Sequence, residues 1–487
     1  MGKRAYEGPL ERVEECLWRI PKSYKPGMRV DGLIYANEEL IRQIRNDQAP
    51  EQVANVAFLP GIQYASLAMP DIHWGYGFTI GGVCATDPTE GGVISPGGVG
   101  YDINCGVRLV RSNLELADVE PRLEKLVEAL YVKVPAGVGR GGAYRFSDRQ
   151  LRDLMAEGTG YLRKRGLATD SDIELTEARG CLRDAEPDRV SDRALSRGTQ
   201  QCGTLGSGNH FLEVQVVDEV FDEEAATVLG LARDRVCVMI HSGSRGLGYQ
   251  VCDDALKQLR GVPERYGIKL PDRQLACAPV DSPEGRDYLG AMCAAGNFAW
   301  CNRQLLMWQA REVFAQFFGR TWEELGMALV YDVAHNIAKL ERHTIGGRER
   351  KVWVHRKGAT RAFPPEHPEI PQSYRKIGQP VLIPGDMGTA SWVLVGQHGS
   401  MERTFGTTCH GAGRAMSRTA ALKASKGRRI DRELAERGVV ARARSWRSLA
   451  EEQPAAYKDV DLVVDVVHRA GLSKKVARMR PLGVIKG

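Results

Sequence analysis

AMCAAGNFAWCNRQLLMWQAREVFAQFF, Ala291 to Phe318, is the stretch on which the fold class turns. Its apolar residues recur at helical spacing, and the pattern extends over Ser282–Gly319, the longest helical signal in the chain. The segments around it read differently. RVCVMI (235–240), MALVYDVA (327–334), KVWVH (351–355) and QPVLIP (379–384) are short apolar runs that end in turn residues, as strands do. Further helical pattern lies at Pro121–Tyr131 and around Glu223–Leu231. In the first hundred residues VANVAFLPGI (53–62), YASLAMPDIHWGYG (64–77) and FTIGGVCAT (78–86) read as strands and loops punctuated by Gly and Pro. Helix and strand are mixed without a regular βαβ alternation, which predicts an α+β fold. The strands are interleaved with no visible seam or linker, so one large domain over 1–487 is expected.

Composition narrows the class. The chain has 11 cysteines in 487 residues, at irregular spacing and with no CxxC pair, which reads as reduced thiols rather than a disulfide framework. The opening stretch MGKRAYEGPLERVEE has no apolar core of a signal peptide, and no apolar run reaches membrane-spanning length. A cytoplasmic protein with no membrane partner is expected. The net charge of +6 is uneven: His410–Gly487 carries 18 Lys and Arg against 8 Asp and Glu, so the remainder is mildly acidic. A basic segment on an acidic body suits a polyanion such as nucleic acid, and equally suits a solvated helical surface.

Three of the ten histidines stand where an apolar strand meets a turn. His241 follows VCVMI, His335 follows VYDVA, and His210 opens the strand FLEVQVV after GTLGSGN. A side chain at a strand end is rigidly aimed, as a ligand must be. GGVGYDINCGVR, Gly97 to Arg108, adds Asp102 and Cys105 within one glycine-rich, hairpin-like segment. Five donors of mixed type exceed one tetrahedral zinc site. A bridging thiolate at Cys105 could serve two ions, and two ions side by side stabilise phosphoryl transfer. Thiolate and imidazole favour zinc, whereas the carboxylate and open positions admit manganese. FGTTCHGAGRAMSR, Phe405 to Arg418, places His410 before small residues and Arg414. Backbone N–H groups there could approach a phosphate, and such a histidine can form a covalent phosphoramidate. It is not a Walker A loop, and a plain glycine-rich turn would look the same. PGDMGTASWVL (384–394) and MPDIHWGYG (69–77), with Asp71 and His73, are similar loops.

Taken in order, GGVGYDINCGVR, GTLGSGNHFLEVQ, VMIHSGSRGLG, YDVAHNIA, PGDMGTASWVL and CHGAGRAMSR resemble the motifs of the RtcB family of RNA-splicing ligases, from about residue 69 to Lys486. The resemblance implies a mixed-sheet domain around a central dimetal cleft. It implies two Mn2+ ions on Asp102, Cys105, His210, His241 and His335, with Cys105 shared, and a nucleophile, His410, that GTP guanylylates. Asp71 falls on an acidic position the family needs for activity. Nucleotide contacts would fall on Asn209, His210, Phe211, Leu212, Glu213, His335, Asn336, Pro384, Gly385, Asp386, Met387, Ser391, His410, Gly411, Ala412, Gly413, Tyr457 and Lys486. The implied reaction joins an RNA 3′-phosphate or 2′,3′-cyclic phosphate to a 5′-hydroxyl, in tRNA splicing or RNA repair, with an archease helper as a further partner. Arg245 and Arg414 are the expected clamps on RNA phosphate, since a guanidinium pairs with it bidentately. The chain departs from the family at Trp74 and Thr79, where Gln and Pro are expected, and at Asp386, where Ser often stands. A metal-dependent phosphoesterase using the same donors, and a non-catalytic RNA-binding protein, are the competing readings. Both would dispense with His410.

Overall fold

The computed structural model describes residues 5–137 and 141–487, so Met1–Arg4 of the opening stretch lie outside the described residues. The long helix forms where the spacing predicts, Pro283–Phe318, 36 residues and so about 54 Å. Ser282 Oγ accepts from the Gly285 N–H at 3.0 Å, and Gly319, at φ 66°, ends the helix in the left-handed conformation. One face packs Leu306, Met307 and Phe314 against Val110, Val214 and Val238 of a β-sheet. Towards its start, Met292, Ala295 and Phe298 pack with Leu151 and Leu154 of the helix Asp148–Glu157 and with Val251 of the helix Arg245–Gln258. A helix buried on all sides must satisfy its own polar groups. Asn297, Asn302, Arg303, Gln304 and Arg311 do so through hydrogen bonds, and Gln309 does so through Nε2 while its Oε1 is unpaired.

Two large sheets flank the cleft. The eight-stranded sheet runs Ala328–Ala334, Gly106–Glu115, Arg235–Ser242, Phe211–Val220, Ser473–Lys486, Ser391–Gly396, Pro380–Ile383, with Val440–Ala443 added parallel to Ser473–Lys486. The seven-stranded sheet runs Glu11–Glu14, Leu17–Ile20, Asp31–Tyr35, Ala65–His73, Ile80–Thr86, Arg348–Lys357, Asn336–Ile345. Most pairs are antiparallel, and helices cover the faces without βαβ alternation, so the α+β expectation holds. Among the described residues no helix is long and apolar enough to cross a membrane.

Two local expectations fail. VANVAFLPGI is no strand: its first residues finish the helix Ala49–Val56, and the rest is turn. Pro50 and Glu51 in the first turn favour a helix start, and Val53, Val56 and Ala57 fit a helical period as well as an extended one. The Gly97–Arg108 stretch is no hairpin either. It runs from the 3-10 turn Pro96–Gly98 through a loop into the strand Gly106–Glu115, whose sheet partners lie at 235–242 and 328–334.

Candidate active site

The donors meet because two sheets share a corner. Ala334 ends a strand of the eight-stranded sheet and Asn336 begins one of the seven-stranded sheet, so His335 sits on the crossover between them. Its N–H donates to the Cys105 carbonyl at 2.9 Å, and the Asn104 N–H donates to the Asn336 carbonyl at 2.6 Å, which joins the Asp102–Cys105 loop to that crossover. His241 lies opposite Val107 and Phe211 in the adjoining ladders, which brings it level with Cys105 and His210. The long helix supports the loop from behind. Arg303 donates to the carbonyls of Asn104 (2.7 Å) and Ser242 (2.9 Å) and forks onto the buried carboxylate of Asp332 at 2.8 and 2.9 Å. Asn104, at φ 51°, donates its amide to the Gly296 carbonyl of the same helix at 2.7 Å.

The resulting cluster is tight. Cys105 Sγ lies 3.4 Å from His210 Nε2 and 3.3 Å from His241 Nε2. His335 Nε2 is 3.3 Å from His241 Nε2, and Asp102 Oδ2 is 2.8 Å from His210 Nε2. His210 Nδ1 lies 2.9 Å from the Leu205 carbonyl, which can only accept, so that nitrogen carries a proton and Nε2 is the atom aimed at the cluster. Burial holds the imidazoles of His241 and His335 well below their ordinary value and pushes the Cys105 thiol well above its own, with the Asp102 charge adding to the latter. Burial also raises Asp102, but the neighbouring His210 outweighs it and holds the carboxyl at about 2. Cys105, His210 and His241 bring their ligand atoms within 4.8 Å of one another, with Asp102 beside His210 and His335 beside His241, a donor set that a divalent cation would satisfy. The residues fit a metal.

His410 approaches from the other side, ring centroid 4.8 Å from His335. It follows the short strand Thr407–Thr408, which pairs with Thr360–Arg361. Buried Asp71 organises this loop: its Oδ2 accepts from His410 N (2.9 Å), Gly411 N (3.3 Å) and His410 Nδ1 (2.5 Å). The Nδ1 proton is thereby held, and Nε2 is left with the free lone pair. Gly413, at φ 74°, is required: a Cβ there would sit 2.3 Å from the Asp71 carbonyl oxygen.

These groups line a cavity of about 390 Å³, within the range of small-molecule sites. Asp102, Cys105, Asn209, Phe211, Glu213, His241, His335, Asn336, Pro384, Gly385, Asp386, Met387, His410, Gly411, Ala412, Gly413, Arg414, Tyr457 and Lys486 all reach its wall. Others stand behind it. Asp71 lies under His410, and His210 lies behind Asp102 and Cys105. Leu212 points the opposite way from Phe211 and Glu213, as strand alternation demands, and packs into the core with Val214 and Val238. Ser391 Oγ accepts from Gln215 Nε2 at 3.0 Å. Arg245 Nε bonds Thr204 Oγ1 at 3.3 Å. Arg414 spends its donors on the Met416 and Glu451 carbonyls, the Glu452 carboxylate and the Tyr457 hydroxyl, so it braces Tyr457.

Burial raises Glu213 to about 7 and lowers the Lys486 amine, which sits 5.3 Å from the Phe211 ring. Asp386 turns its carboxylate onto its own loop, accepting from Gly388 N at 2.8 Å and Thr389 Oγ1 at 2.9 Å, which is a use for the acid where Ser often stands. The sequence reading passed over Tyr76, Tyr101, Lys357, Arg418 and Glu452, which also line the cavity. Tyr76, Tyr101 and Arg418 stood inside the stretches 69–77, 97–108 and 405–418, whereas Lys357, at the end of the charged strand Arg348–Lys357, and Glu452 carried no distinguishing signal. Burial lowers the Lys357 amine to about 7, and its Nζ donates to the carbonyls of Tyr76 and Phe78.

Residues 52–487 match the family described as tRNA-splicing ligase RtcB. The chain is 56% identical over 481 residues to the protein named tRNA-splicing ligase RtcB in Archaeoglobus fulgidus, covering 99% of both chains. It is 53% identical over 479 residues to the protein of that name in Thermococcus kodakarensis (98% of this chain, 99% of the relative) and 52% identical over 478 residues to that of Methanococcus maripaludis, with the same coverage. With the donors, the histidine loop and the cavity already in place, these likenesses assign the chain: it belongs to the RtcB tRNA-splicing ligase family.

Proposed function

We propose that this protein is a GTP- and Mn2+-dependent RNA ligase, acting through residues 1–487 as one catalytic domain, that joins RNA 3′-phosphate or 2′,3′-cyclic phosphate ends to 5′-hydroxyl ends. The observation that carries the proposal is His410: Asp71 occupies its Nδ1, and the ring stands beside His335 at the wall of a cavity of nucleotide size. A hydrolase that activates water on the metal donors does not require a histidine nucleophile, whereas nucleotidyl transfer does. His410 Nε2 attacks the α-phosphorus of GTP, the N–P bond forms and the bond to pyrophosphate breaks. An oxygen of the RNA 3′-phosphate then takes the GMP and frees His410. The 5′-hydroxyl oxygen attacks the activated 3′-phosphate, loses its proton and expels GMP; a cyclic end is first opened by water. Manganese on Asp102, Cys105, His210, His241 and His335 would neutralise charge on the transferring phosphoryl oxygens. Asn209, Phe211, Glu213, Asp386, Tyr457 and Lys486 would hold the guanosine, and broken tRNA is the substrate that the relatives' names suggest. The test is intact mass after incubation with GTP and Mn2+, with His410→Ala alongside. A GMP adduct on the wild type, absent from the variant, is expected. No adduct, together with metal-dependent RNA cleavage, would replace the ligase with a phosphoesterase.

A further inference from the structure

Outside the cavity a set of aromatic rings continues from its wall to the surface. Tyr76 and Tyr101 both line the cavity and meet edge to face, centroids 5.7 Å apart. Tyr249 then stacks on Tyr101 with centroids 4.8 Å apart and planes only 24° from parallel. It is 48% exposed, unlike its neighbours Leu247, Gln250, Val251 and Cys252, which bury the inner face of the helix Arg245–Gln258. None of the three hydroxyls makes a hydrogen bond among the described residues, so the faces and not the polar tips organise the set. The Arg197 guanidinium lies 5.9 Å from the Tyr249 ring centroid and forms no ion pair among the described residues. The acids closest in chain to Tyr249 are engaged: Asp253 with Lys257, and Asp254 with Ser191 and Gln250. Tyr101 immediately precedes Asp102 in the chain.

We propose that Tyr101 and Tyr249, with Arg197 beside them, form a stacking platform that receives unpaired bases at the end of an RNA strand and leads its backbone into the cleft. The inference rests on the ligase reading and names the part of the protein that holds its polymer substrate. An exposed tyrosine face already parallel to a second ring extends a stack by one base without preorganisation cost, and stacking tolerates any base. The Arg197 guanidinium over that ring, with no ion-pair partner among the described residues, suits the phosphate that follows. An enzyme that rejoins broken strands of differing sequence needs such sequence-blind holding.

The test uses the full-length protein and a short single-stranded RNA with a 5′-hydroxyl, labelled at its far end and carrying 5-iodouridine in its terminal positions. Fluorescence anisotropy should show Tyr249→Ala weakening binding about 10-fold, and Tyr249→Trp restoring it. Near-ultraviolet irradiation should crosslink the terminal bases to the peptides containing Tyr101 or Tyr249. Equal binding by Tyr249→Ala, a loss that Tyr249→Trp does not restore, or crosslinks only elsewhere would overturn the platform. If those results accompany a GMP adduct on the wild type, the platform alone falls and the ligase reading stands. If the wild type neither binds the RNA nor takes up GMP, both fall.

Discussion

At Asp71 one carboxylate oxygen does three jobs: it takes the His410 Nδ1 proton and accepts from two backbone N–H groups of the same loop. The same oxygen thus fixes both the tautomer and the loop. Asp71→Asn can keep all three contacts through its amide oxygen and removes only the negative charge that stabilises the ring as His410 Nε2 forms its bond to phosphorus. Adduct formation with GTP should fall about 100-fold, measured by intact mass against time, with the melting temperature nearly unchanged. A melting temperature that collapses with activity would show that Asp71 serves chiefly to hold the loop. Cys105 poses a different residue-scale problem. Its thiol is buried and held neutral, so a metal must displace its proton, and Mn2+ affinity should climb with pH. Cys105→Ala should abolish that climb in a titration followed by calorimetry.

The helix Pro283–Phe318 is the element on which the site leans. Arg303 satisfies two carbonyls and a carboxylate at once, in a position with no solvent to replace it. Arg303→Met takes a donor from each of those acceptors, although Arg108 Nε still reaches Asp332 Oδ2 at 2.7 Å, and should cost about 3 kcal/mol in urea unfolding while also weakening metal binding. Its C-terminal cap makes a cleaner case. A Cβ at Gly319 would meet nothing within 4 Å, so Gly319→Ala tests the left-handed φ of 66° alone. A cost of about 1 kcal/mol is expected from the same unfolding curve, with metal binding unaltered. The basic C-terminal segment is less free than its charge suggests. Arg428 pairs with Glu433, Arg429 with Asp431, Arg442 with Glu128 and Arg478 with Asp218, so part of its charge is balanced locally.

Across the whole molecule, stability also depends on buried neutral groups whose protonation works against the fold. His355 lies between Ser95 N, which donates to its Nε2 at 3.2 Å, and the Cys84 carbonyl, 3.3 Å from its Nδ1, and burial lowers it to about 4. A depressed imidazole gives stability that is complete above its ordinary value of 6.5 and drains as pH falls through 4. The loss by pH 4 is about 3 kcal/mol from this residue. His355→Gln should flatten the slope of unfolding free energy between these pH values; an unchanged slope would assign it to other groups. Metal acts on the same scale. Mn2+ at a hundred times its dissociation constant should stabilise the fold by about 2.7 kcal/mol, seen as a higher melting temperature that a chelator reverses and that Cys105→Ala lacks.

The local chemistry was legible in the sequence. Glycines flanking Asp102, Cys105 and His410 marked loops, apolar runs ending in His241 and His335 marked strand ends, and Ser282 and Gly319 marked both ends of the long helix. Each of these depends on neighbours a few residues away, which is why a linear reading reaches them. VANVAFLPGI went astray because a short apolar run fits two periods, and packing decides between them. Only the tertiary structure could put His335 on the crossover between two sheets, turn Leu212 into the core, tie Arg414 to Glu452 and bring Tyr249 onto Tyr101. Those relations join residues up to hundreds of positions apart in the chain. They are fixed by sheet register and by the satisfaction of buried charge, neither of which has a signature in local sequence.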